Sequence, residues 1–146
     1  MVTINWCKNQ KNGIELIEPN NSLGEKYLLE AGDSLSVMLS ISGKWKVVTA
    51  YYACYSALYA LFMKAGIKCE IHDCSLELMN RFGFSITEIK FMKNLKKKRI
   101  ETQYYLKNVS LDDEDQIKSF IIRCKLFFSN LNGDQISKIR SLVKND

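Results

Sequence analysis

Between Lys46 and Lys64 the chain reads VVTAYYACYSALYALFM, without a charged side chain. A helix at a protein surface carries one apolar stripe, so a helix apolar on every face has to be covered on every face. Ala50, Ala53, Ala57 and Ala60 recur within the run and allow a neighbouring helix to approach closely. Tyr51, Tyr52, Tyr55 and Tyr59 supply large area, and each hydroxyl needs a hydrogen-bond partner once buried. The pattern predicts a helix at the centre of a bundle or within a subunit interface.

The flanking positions predict further helices. Ser22 and Glu25 have capping-box spacing, and Leu28, Ala31, Leu35, Met38 and Leu39 continue with helical period to Ile41, before Ser42-Gly43. Gly66 suits a left-handed cap at the end of the apolar helix. A loop over 67–71 leads to a short helix with Leu76, Leu78 and Met79, ending near Gly83. Ser85 and Glu88 form a second capping box, opening a long helix to about Asn108. Ser110 caps the next, with Asp112, Asp113, Glu114 and Asp115 in a first turn that favours negative charge, and it runs to Leu131. A short last helix over 134–145 carries Ile136, Ile139, Leu142 and Val143. Ahead of all this, Ile4 and Trp6, then Ile14 and Leu16, flank a polar stretch ending in Asn12-Gly13. They form either a short hairpin or an irregular arm that packs Trp6 on the bundle. The expectation is one all-α domain over 1–146: an arm (1–21), an up-and-down antiparallel bundle of four to five main helices (22–131), and the C-terminal helix.

Composition changes this picture little. At 146 residues, 47% hydrophobic and 25% charged, the chain has the size and content of one folded domain. One proline and seven glycines argue against a loop-rich all-β fold. The net charge of +5 permits an acidic partner without requiring one. Five cysteines, an odd number spread through helices, predict free thiols in a reducing compartment. No charged-then-apolar leader opens the chain, and 47–63 is shorter than the roughly 20 residues of a membrane span. A cytoplasmic protein without membrane attachment is the expectation.

Candidate chemistry concentrates on the long helix that Ser85 opens. Met92, Leu95, Arg99, Thr102, Leu106 and Val109 fall on one face, with Arg99 in its middle. A guanidinium on an inward stripe needs a carboxylate partner, an escape to the edge, or the mouth of a solvated cleft. Lys90, Lys93, Lys96, Lys97 and Lys98 surround it, a charge pattern that suits either phosphate binding or a solvated face. His72 is the only histidine. It stands in Cys69-x-x-His72-x-Cys74, three donors crowded together with no second pair, so no metal site and no cofactor are predicted. A histidine near a helix start that bonds backbone or a tyrosine accounts for it equally well. No glycine-rich phosphate loop is present.

The order of Trp45, the A-Y-Y-A-C-Y-S-A-L-Y-A-L helix, Gly66, His72 and R-I-E-T-Q-Y from Arg99 to Tyr104 resembles the compact prokaryotic branch of the HEPN superfamily. The likeness covers about 22–130. It implies a four-to-five-helix bundle that is usually a homodimer and is often paired with a small nucleotidyltransferase in toxin–antitoxin modules. Active members of the family are metal-independent ribonucleases with an arginine followed, after four to six residues, by histidine. Here those positions hold Tyr104, Tyr105 and Leu106, and Arg81, Arg123 and Arg140 also lack a histidine at that spacing. The family further implies a tyrosine near the arginine as acceptor of a nucleotidyl modification, a place that Tyr104 or Tyr105 fits.

Three functions therefore stand as expectations. In the first, a dimeric HEPN-like module, non-enzymatic or weakly enzymatic, binds a nucleotidyltransferase partner, a nucleotide or RNA, with Lys93, Lys96, Lys97 and Arg99 on phosphate and His72 and Tyr104 in the cleft. In the second, a ribonuclease toxin uses Arg99 to stabilise transition-state charge and His72 in place of the missing histidine. In the third, the Tyr/Ala helix serves as a structural dimerisation element.

Overall fold

The computed structural model describes residues 2–111 and 114–146. Among these the chain forms seven α-helices, one 3-10 turn and a two-stranded antiparallel ribbon, an all-α fold. The helices are α1 (Ile4–Lys8), α2 (Asn21–Ser40), α3 (Lys44–Ala65), α4 (His72–Leu78), α5 (Ile86–Gln103), α6 (Glu114–Asn130) and α7 (Gly133–Asn145).

The apolar run becomes α3, and of the two settings predicted for it the structure gives the bundle centre. α2 lies along it, and α5, α6 and α7 pack on its other sides. Ala50, Ala53, Ala57 and Ala60 are all fully buried. Gly24 of α2 shows how close the helices come: a Cβ there would stand 2.9 Å from the Ala60 carbonyl and 2.6 Å from the Phe128 ring. Gly66 ends α3 in the left-handed conformation, φ 76°. Nη1 of Arg140, from α7, donates to the carbonyls of Ile17 (2.7 Å), Ala65 (3.1 Å) and Gly66 (2.7 Å), tying the end of α3 to the arm.

Several boundaries differ from expectation. Asn20, not Ser22, caps α2: it sits in extended backbone and its side chain accepts the Leu23 N–H at 3.0 Å. Ser85 and Glu88 do form their reciprocal box. α5 stops at Gln103 rather than near Asn108. The chain passes through Leu106 at φ 52°, and Lys107 N–H closes the turn on the Glu101 carbonyl. Leu106 is consequently exposed, and the inward stripe ends at Thr102. α6 is described from Glu114 onward; the expected first turn with Asp112 and Asp113, on which the Ser110 cap depends, lies outside the described residues.

The arm is neither a hairpin nor a Trp6 anchor. Residues 4–8 form α1, Trp6 is 42% exposed, and Glu15–Leu16 (β1) pairs with Ile67–Lys68 (β2). Cys7 and Cys74 are joined in a disulfide between α1 and α4, which corrects the expectation of five free thiols. Cys54, Cys69 and Cys124 are free and buried. Among the described residues no helix is long and apolar enough to cross a membrane.

Candidate functional site

Helical spacing places Tyr51, Tyr55 and Tyr59 four residues apart, so their rings form a row along α3. Tyr51 and Tyr55 lie 5.8 Å apart, and Tyr55 and Tyr59 5.9 Å, with near-parallel planes. α4 brings its first residue, His72, onto this row. Its ring lies 4.1 Å from that of Tyr55, and its Nδ1 shares a 2.8 Å hydrogen bond with the Tyr51 hydroxyl. The Tyr55 hydroxyl meets Ser75 Oγ at 2.8 Å, and the Tyr59 hydroxyl accepts the Cys69 N–H at 3.1 Å. The tyrosine hydroxyls that the sequence left in want of partners thus fasten α3 to the segment 69–75.

Arg99 arrives from α5 at the Tyr51 end. It is 7% exposed, with its guanidinium 4.8 Å from the centre of the Tyr51 ring, 5.5 Å from Tyr52 and 5.8 Å from Tyr104. Nη1 donates to the Tyr52 hydroxyl (3.2 Å) and to Gln103 Oε1 (3.4 Å). Nε has no hydrogen-bond partner among the described residues. The sequence calls for a carboxylate beside a buried guanidinium; the bonds described here go instead to a phenol and an amide. A cation held by ring faces and neutral acceptors has no carboxylate to compensate its charge, and its Nε is closed off from solvent, so an anion reaches it only if the surrounding rings shift.

Electrostatics follow from this placement. Burial, then the positive charges of Arg99 and Lys96, pull the His72 pKa down to about 4, against an opposing pull from Asp73. The imidazole is therefore neutral near pH 7. Burial pushes the Tyr51 phenol well above its ordinary value, so it remains protonated. When that phenol donates to Nδ1, the imidazole proton sits on Nε2, making His72 a hydrogen-bond donor.

The lysines lie elsewhere. Lys93, Lys96 and Lys97 line a groove of about 540 Å³ between α4 and α5 that Asp73, Glu77 and Glu101 also line, and Arg99 is not part of it. Lys96 is bound to Asp73 at 2.6 Å, and Lys97 stands 3.9 Å from Glu101. Tyr105 joins this groove, whereas Tyr104 joins Arg99. The expected phosphate face is thus divided in two, with Asp73, next to His72 in sequence, touching the lysine side. The donor cluster is divided too: Cys74 is bonded to Cys7, and the Cys69 thiol donates to the Ile71 carbonyl. Sequence reasoning passed over Gln103, one turn beyond Arg99, and Ser75; the four-residue spacing was the available signal for the former.

A buried arginine–tyrosine–histidine cluster in an all-α bundle is the class of site this chain presents. No protein-family model matches the sequence, and no curated protein matches it significantly.

Proposed function

We propose that this chain is a HEPN-like helical module whose Arg99 cluster takes a phosphate of a nucleotide or RNA. In this reading it acts as a homodimer beside a nucleotidyltransferase partner, in a toxin–antitoxin or related defence system. The observation that carries the proposal is Arg99 itself: a buried guanidinium, sleeved by Tyr51, Tyr52 and Tyr104, with Nε unpartnered among the described residues. A charge-assisted bond from that N–H to a phosphate oxygen satisfies the group and repays part of its desolvation. Tyr104, 65% exposed at the rim, is open to a base or to modification.

A ribonuclease reading has one observation in its favour. Tyr51 bonds His72 and lies under Arg99, so both residues belong to one cluster despite the missing motif histidine. A neutral His72 there orients or donates to a reacting group more readily than it removes a proton.

The experiment uses end-labelled total RNA, EDTA, the parent protein and Arg99→Met checked for folding. Salt-sensitive retention lost in the variant supports the binding module. Cleavage by the parent alone supports the ribonuclease. RNA neither retained nor cleaved overturns the ribonuclease and RNA binding, and if a nucleotide shows no saturable binding either, the phosphate reading is overturned.

A further inference from the structure

The tyrosine row has two ends, and they differ. Arg99 covers the Tyr51 end. Elsewhere the protein lays its own cations on aromatic rings: Lys64 on Phe128 at 4.4 Å, Arg123 on Phe127 at 4.4 Å and Lys44 on Trp45 at 5.1 Å. Tyr55, Tyr59 and Tyr27 carry no such cation among the described residues, although the neutral His72 ring covers one face of Tyr55. These three tyrosines, with His72 and Glu70, line a surface cavity of about 320 Å³.

The lining of this cavity favours a cation over an anion. Tyr27 of α2 stands at 65° to Tyr59, their centres 5.1 Å apart, so rings from two helices make a corner rather than a flat wall. The hydroxyls of Tyr55 and Tyr59 are tied to Ser75 and to Cys69 N–H, which fixes both rings before any ligand arrives. No lysine or arginine lines the cavity, and its histidine stays uncharged near neutral pH. The one formal charge in the lining is the Glu70 carboxylate. Its contact with Lys68, 3.7 Å between exposed groups, is too weak to neutralise it. Ring quadrupoles and a carboxylate attract positive charge, and an alkylated ammonium loses less hydration on moving against phenol rings than a bare, strongly hydrated one does.

We infer that this cavity, lined by Tyr27, Tyr55, Tyr59 and Glu70, binds an alkylated ammonium group, as a small molecule or on the side chain of a partner protein. The site shares His72 with the Arg99 cluster but not its cation, and its preference is for the opposite charge, so ammonium probes test it independently of the phosphate reading.

The test is a titration of tyrosine-ring resonances in the intact protein. The probes are choline chloride, the neutral molecule in which carbon replaces the quaternary nitrogen, and sodium chloride at matched strength. The expected result is saturable shifts with choline and affinity about tenfold weaker for the neutral isostere. Tyr27→Leu should remove the response. Glu70→Gln, a change on the exposed rim that leaves the core untouched, should weaken it about threefold. A peptide carrying trimethyllysine, bound more tightly than choline, assigns the ammonium to a partner protein; choline bound more tightly assigns it to a small molecule. Equal binding of the neutral isostere, or no saturable response to either ammonium probe, overturns the inference.

Discussion

His72 is the only histidine, which makes its titration a clean measurement on the candidate site. Its pKa falls from 6.5 to about 4, through burial first and then through Arg99 and Lys96. The unfolded chain takes up a proton as pH drops through 6.5, while the native site refuses it until about 4. Unfolding thus binds a proton throughout that window, and stability falls as pH falls from 6.5 towards 4. At pH 5 the difference amounts to about 2 kcal/mol without solvent screening, and about 1 kcal/mol once the partly open ring is discounted for water. The assay compares urea unfolding of the parent and His72→Gln at about pH 7 and about pH 5. Carboxylates titrating in the same range are common to both proteins and cancel. The parent should lose about 1 kcal/mol more than the variant. In parallel, the single imidazole resonance should titrate near 4 in the parent and higher in Arg99→Met, because one repelling charge is gone. A midpoint near 6.5, or the same pH loss in both proteins, would refute the placement of His72 between α3 and α5.

Two further predictions concern the frame that holds the site. Gly24→Ala, where a Cβ stands 2.6 Å from the Phe128 ring and 2.9 Å from the Ala60 carbonyl, should cost about 1–3 kcal/mol. Gly32→Ala on the same helix meets nothing within 4 Å and should stabilise by about 0.5–1 kcal/mol; thermal unfolding separates the two, and equal effects would contradict the packing of α2 on α3. Reducing Cys7–Cys74, which spans 67 residues, should remove about 4 kcal/mol by chain entropy, read from denaturant midpoints with and without a thiol reductant.

The centre of the fold was legible because its signals are local. Uninterrupted apolarity has only one physical resolution in water, and it located α3. A glycine where left-handed backbone is needed located its end, and a serine three residues before a glutamate located the start of α5. Signals failed where two local patterns competed. Asn20 and Ser22 both offer a capping side chain, and only the extended backbone after Pro19 selects the former. Leu106 and Val109 extend the spacing of α5, yet the left-handed turn at Leu106 ends the stripe at Thr102. The site was half legible. Arg99 betrayed itself as a charge on an apolar face, and His72 by being alone. Their meeting at Tyr51 depends on how α4 and α5 cross α3, as does the Cys7–Cys74 bond between distant segments, and no periodicity encodes such crossings. The division between the lysines and Arg99 was also hidden. Lys96, one turn before Arg99, stands at the edge of the buried stripe, where it reaches Asp73 across to α4 while Arg99 turns inward, and spacing alone does not distinguish the two.

The proposed phosphate contact at the unpartnered Nε–H of Arg99 can be observed directly by NMR in isotope-labelled protein. Titration with a phosphorylated oligonucleotide should move the Arg99 Nε–H resonance saturably as it gains an acceptor, with the resonance absent in Arg99→Lys. An Arg99 resonance that stays in place while the signals of Lys93, Lys96 and Lys97 shift would contradict the account, and would leave only diffuse attraction to the outer face of α5.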